Sequence, residues 1–140
     1  TLNGSANVEY SAPMTWNINR DAGSNSSMVN NGVDTSVIVF AIDGNYRIED
    51  ALNSMLKDYS KKSKNYKLIK PASYTAVGSK KGYRAVFSYE DNQGLAYIMD
   101  IFICNDGNNC VQCILDTPIE YYGAKNIKIF ETVIDSVNVK

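Results

Sequence analysis

The chain has 140 residues, 44% hydrophobic and 21% charged, values that suit one globular domain with a core of its own and exclude a disordered chain. A formal net charge of −1 and a pI near 5.4 give no bulk attraction to nucleic acid or anionic lipid, and no apolar run approaches the length of a bilayer span. Histidine is absent, which removes Ser–His–Asp and Cys–His nucleophile systems and His-based metal centres.

In chain order, residues 1–7 (TLNGSAN) have the small polar composition of a tail, so the domain is expected over residues 8–140. VEYSAPMTWNI (8–18) predicts an extended segment interrupted at Pro13, with Trp16 and Ile18 facing inward. Residues 21–32 (DAGSNSSMVNNG) predict a polar loop. Thr35 to Ile42 is a short, β-branched apolar run between turn formers, which predicts a strand buried on both faces.

From Tyr46 to about Lys62 the period changes. Ile48, Leu52, Met55, Leu56 and Tyr59 form one helical stripe, with Asn45 as the expected N-cap. The lysine cluster Lys57, Lys61, Lys62, Lys64 and Lys67 reads as a solvated helix end complementing the dipole. Period two then predicts strands at Lys67–Ile69, Ser73–Val77, Tyr83–Tyr89, Leu95–Cys104 and Cys110–Asp116, the last four joined by short Gly-containing turns. A second helix is expected over Ala124–Ser136, with Ile127, Phe130, Ile134 and Val137 on one side. The predicted class is α+β: a mostly antiparallel β-sheet meander sandwiched between helices, because its strands carry apolar residues on both faces.

All three cysteines lie in CNDGNNCVQC, residues 104–113. Pairing Cys104 with Cys110 across a five-residue turn puts them opposite one another, which predicts a disulfide of roughly 2 kcal/mol and leaves Cys113 as a buried thiol. Zinc needs four ligands, or three and a water, so no metal site is expected. A disulfide beside an exposed turn, with a chain that opens at Thr1 rather than Met, suggests an exported mature domain. The Asn-, Lys-, Ile- and Tyr-rich usage resembles that of AT-rich bacterial genomes.

No phosphate-cradling loop or nucleophile elbow occurs. Glu49, Asp50, Glu90, Asp91 and Asp106 have ordinary places at a helix start or in turns, which leaves a carboxylate-pair hydrolase as a third reading. The ten Tyr are the compositional excess. Tyr serves interfaces and sugar-stacking sites, although it is also a good strand former. Tyr10, Trp16, Tyr121 and Tyr122 are the candidate binding residues. Arg84, the guanidinium of the central sheet, either anchors an anion or pairs with Asp100.

The first segment VEYSAPMTWNI, the amphipathic helix before a long meander, and the closing helix ending in FETVIDSVNVK together resemble the PsbP/Mog1-like superfamily over about residues 8–140. The resemblance implies an antiparallel sheet between helices. It also implies non-enzymatic roles: photosystem accessory proteins, a Ran-binding import factor, and bacterial secreted proteins or lipoproteins. The His residues implicated in metal binding by the plant proteins are missing here. The expectation is therefore a bacterial extracytoplasmic domain without cofactor. It would bind an unknown protein partner at the cell surface, bind no nucleic acid, and touch the membrane only through an N-terminal lipid anchor upstream of Thr1. The alternative is a carbohydrate or small-molecule module using Tyr and Trp platforms.

Overall fold

The computed structural model describes residues 2–3, 8–20 and 26–139. Strands β1 (Leu2–Asn3), β2 (Val8–Ser11) and β10 (Asn138–Val139) form a small sheet in the order β1-β2-β10. Strands β3 (Asn17–Arg20), β4 (Ser26–Asn30), β5 (Ser36–Asp43), β6 (Lys64–Val77), β7 (Lys80–Glu90), β8 (Ala96–Asp106) and β9 (Asn109–Pro118) form the main sheet, ordered β3-β4-β5-β9-β8-β7-β6. Every neighbouring pair is antiparallel. Helices α1 (Ile48–Lys62) and α2 (Ala124–Ser136) follow β5 and β9, and Ile119–Tyr121 is a 3₁₀ turn.

The two helices cover opposite faces of the main sheet. Leu52 and Leu56 of α1 pack on Ala85, Phe87, Ile101, Ile103, Cys110 and Ile114, while Phe130, Val133 and Ile134 of α2 pack on Val37, Val39, Phe102, Cys113 and Leu115. Period-two alternation divides each central strand between these clusters, which is why both faces of β8 and β9 read as apolar. The predicted sandwich is the observed one.

Several boundaries differ from expectation. Leu2–Asn3, expected in the tail, pairs with Tyr10 and Ser11. Residues 8–18 are split between two sheets, the turn at Pro13–Trp16 closing with Trp16 N–H donating to Pro13 O at 3.1 Å. Ser26–Asn30 lies in the predicted loop yet forms strand β4; residues 21–25 of that loop fall outside the described residues. Its polar Ser27 is buried because its hydroxyl is satisfied, 2.6 Å from the Tyr10 hydroxyl. Helix α1 starts two residues later than predicted, capped by the extended backbone of Arg47 rather than by Asn45, and Glu49 and Asp50 face its N-terminal dipole. The two predicted strands around Pro71 are one 14-residue edge strand, β6, which absorbs the proline through register shifts on either side of Lys70.

The expected Cys104–Cys110 disulfide is not formed; all three cysteines are free and buried. The reason is register. Asp106 pairs with Asn109, so the turn holds two residues rather than five, and Gly107 takes the positive φ of 62° that such a turn needs at its first position. Cys104 then lies opposite Val111, and Cys110 opposite Asn105. Shifting the pairing by one residue turns a side chain to the other face, so Cys104 joins the α2 side and Cys110 the α1 side. Burial pushes the Cys104 thiol up to about 12 and raises the other two; these are inert packing thiols.

Candidate functional site

The strand register sets the ends of β3, β4, β5, β8 and β9 that carry residues 13–16, 31–35, 95 and 119–121 at one end of the main sheet. A cavity of about 460 Å³ opens there beside the start of α2, within the size range of small-ligand sites. Trp16 and Tyr121 both line it, with Asn31, Asp34, Glu120 and Lys125.

Local hydrogen bonds build its walls. The Asn31 carboxamide oxygen accepts the backbone N–H groups of Val33, Asp34 and Thr35 at 2.9, 3.0 and 3.1 Å, folding 31–35 into a closed turn. The Asp34 carboxylate accepts from Asn31 Nδ2 at 3.1 Å and from the Thr35 hydroxyl at 3.0 Å. That hydroxyl also meets Thr117 at 2.8 Å, fixing the turn to β9. On the opposite wall Asn126 Nδ2 donates to Tyr121 O at 3.0 Å. Gly123 caps α2 with extended backbone and no side-chain hydrogen bond.

Of the ten tyrosines, six sit in aromatic contacts. Phe87 meets Tyr59, Tyr66 and Tyr89, Tyr89 meets Tyr97, and Tyr74 meets Tyr83. Such pairs contribute about 0.5–1.5 kcal/mol each to packing, so most of the Tyr excess is structural. Tyr10 is fully enclosed and presents no ring face to a ligand. Tyr121 is 52% exposed, which makes it and Trp16 the aromatic pair available in the cavity.

Arg84 and Tyr122 meet elsewhere, around Asp100. The Arg84 guanidinium donates from Nε and Nη2 to the two Asp100 oxygens at 2.9 and 2.8 Å, and from Nη1 to Glu131 at 2.7 Å. The Tyr122 hydroxyl donates to Asp100 at 2.8 Å. Asp100 is wholly buried, so its charge requires these donors. Burial opposes the Arg84 charge, but the Asp100 and Glu131 carboxylates outweigh it and hold its pKa above the ordinary value. Tyr122 is pushed up by burial and by Asp100. Of the two readings of Arg84, the pairing with Asp100 is the observed one, and Glu131 closes the remaining edge. Among the described residues no three Cys, Asp or Glu side chains converge as metal ligands would.

Sequence reasoning reached Trp16 and Tyr121 but missed Asn31, Asp34 and Glu120. The Asn31-Gly32-Val33-Asp34-Thr35 turn chemistry was readable; that it faces α2 follows from topology alone.

No protein family matches the sequence, and no curated protein is detectably similar. Solved structures are similar in fold. Cyanobacterial PsbP (CyanoP) from Synechocystis superposes with a TM-score of 0.67 at 14% identity, covering 100% of this chain and 92% of its own. The Ran-binding protein Mog1p of Saccharomyces cerevisiae does so at 0.61 and 8%, covering 94% and 89%. The chain has the PsbP/Mog1-like fold. LpqN of Mycobacterium tuberculosis, involved in cell envelope biogenesis, shares the PsbP/Mog1-like architecture at 0.64 and 10%, covering 95% and 83%. The chain also matches a Bacteroides thetaiotaomicron structure over its whole length, at 0.69 and 20% identity, and spans 47% of that longer chain.

Proposed function

We propose that this PsbP/Mog1-like chain is a non-enzymatic binding domain that engages another protein through the loop end of its main sheet, at the bacterial cell envelope. The observation that carries the reading is the Trp16–Tyr121 cavity opening among exposed apolar residues. Met14 is 86% exposed and Val33 85%, and Leu95 and Ile119 are exposed at the same sheet end. Solvated apolar side chains concentrated around an aromatic-lined cavity are the composition of an interface centre. Arg84 is not free to anchor an anion, since its charge is already taken up by Asp100 and Glu131. The envelope location rests on the likeness to LpqN; free cysteines withdraw the disulfide that the sequence offered for it.

Trp16 is the sole tryptophan, so its fluorescence reports directly on the cavity. Immobilised protein should retain a specific partner from bacterial envelope extracts, and Trp16→Ala with Tyr121→Ala should release it. Retention unaffected by the double substitution counts against the reading.

Sugar binding is the second reading, favoured by aromatic rings beside Asn31, Asp34, Glu120 and Asn126 in one cavity. A melting-point rise with one glycan, abolished by Trp16→Ala, would select it. Hydrolysis of a glycoside, lost in Asp34→Asn and in Glu120→Gln, would overturn the non-enzymatic assignment altogether.

A further inference from the structure

The net charge of −1 conceals a division of the molecule. Residues 57–84 hold nine of the fourteen Lys and Arg and, in Asp58, one of the fifteen acids. That stretch is +8, and the remaining 112 residues, with five cations and fourteen acids, are −9. The structure gathers it at one sheet edge: the last turns of α1, the whole of β6 and the start of β7.

Along β6 the lysines align. Lys64, Lys67 and Lys70 pair with Glu90, Ser88 and Val86. Those β7 residues alternate with Ala85, Phe87 and Tyr89, which pack toward α1, so the three lysines occupy the α2 side of the edge. Lys57, Lys61 and Lys62, all exposed, lie across the edge on α1. Between the two rows β6 exposes apolar residues: Leu68 is 43% accessible and Ile69 46%. Among the described residues none of the lysines from 57 to 70 is in an ion pair.

Lysines on an edge strand deter strand addition, and lysines end helices favourably. Neither effect accounts for the near-absence of acids across 28 residues or for the aliphatic side chains exposed between the charges. We infer that the β6 edge, with Lys57–Lys62 beside it, is a docking surface for an anionic lipid bilayer, a site separate from the loop-end cavity. Two observations select this partner. Three register shifts in its pairing with β7, and Pro71, which has no N–H to donate, make β6 an irregular template for an added protein strand. Leu68 and Ile69 on the ridge match the headgroup boundary of a bilayer, which accepts aliphatic groups between its charges, better than a nucleic-acid backbone. Acids border the surface, Asp58 on α1, Glu90 opposite Lys64 and Glu131 beside Lys70, but the six lysines from 57 to 70 outnumber them two to one.

The test is cosedimentation of the whole chain with vesicles of phosphatidylcholine alone or with phosphatidylglycerol mixed in. Binding is expected only to the mixed vesicles. A lysine near such a surface strengthens partitioning about fivefold, so Lys64→Gln, Lys67→Gln and Lys70→Gln together should weaken it about a hundredfold. Lys125→Gln with Lys128→Gln, at the start of α2, should leave it unchanged. Raising the salt from about 0.1 to 1 M cuts the screening length about threefold and should release the protein. The triple variant has no buried contact to lose, and its unaltered melting point confirms folding. Equal binding to both vesicle types, no binding to either, or an unchanged partition in the triple variant overturns the inference. So does capture by an acidic polypeptide with no vesicle binding.

Discussion

Replacing Arg84 by Met tests the Asp100 cluster most directly. Arg84→Met removes two charge-assisted hydrogen bonds at 2.9 and 2.8 Å from a carboxylate with no solvent exposure and, among the described residues, leaves it only the Tyr122 hydroxyl as a side-chain donor. An uncompensated buried charge of this kind costs about 3–5 kcal/mol. The released Glu131, whose side chain is 43% exposed, adds no more than about 1 kcal/mol because water replaces its partner. Against a total stability of about 5–15 kcal/mol, that is a large fraction. With a slope of about 2 kcal/mol/M, the urea midpoint should fall by about 1.5–3 M. The double variant Arg84→Met with Asp100→Leu removes both charges and should recover most of the loss, retaining about 1 kcal/mol for the Tyr122 hydroxyl left without its acceptor. Equilibrium unfolding followed by circular dichroism measures all three proteins. A single variant that costs under 1 kcal/mol, or a double variant less stable than the single, refutes the reasoning.

Other consequences are open to measurement. A Cβ on Gly82 would collide with Ile103 O, a backbone atom that cannot yield without moving β8, so Gly82→Ala should destabilise by about 1–3 kcal/mol in the same unfolding assay. Thiol titration of unreduced, denatured protein should count three sulfhydryls, and the folded protein should react slowly; a count of one would restore the staple. The Asp135 carboxylate accepts from the Ser79 N–H at 2.7 Å and hydroxyl at 2.9 Å, and these bonds hold its pKa below the ordinary value. A depressed folded pKa stabilises above the unfolded value of about 3.9 and loses that contribution as pH drops through the lowered one. Urea midpoints of wild type and Asp135→Asn should therefore differ at neutral pH and converge below about pH 4; a constant gap would show that the carboxylate's charge is not involved.

How much was legible follows the physics of each signal. The α1 stripe of Leu52 and Leu56 and the alternation of β7 to β9 repeat many times, so their periods survive local noise. Strand β4 did not, because Ser26, Ser27 and Asn30 look like loop residues until the Tyr10 hydroxyl, contributed by another sheet, is available to Ser27. The cysteine register failed on a single integer: CNDGNNC accommodates either a five- or a two-residue turn, and Gly107 decides it only through its backbone angle. Trp16 and Tyr121 stood out as aromatic residues, but 105 positions separate them, and only the strand order brings them to one cavity. Charge segregation was present in the residue counts and vanished in the total.

The small sheet has a consequence for how the chain folds. Val8 and Glu9 find their neighbours in Val139 and Asn138, almost the full span of the sequence away. Closing that pair joins residues 129 and 131 positions apart, a contact whose closure entropy is among the largest the fold requires. Removing Asn138 and Val139 should leave β2 paired along its β1 edge alone, so a strand far along the chain fixes the other edge of β2.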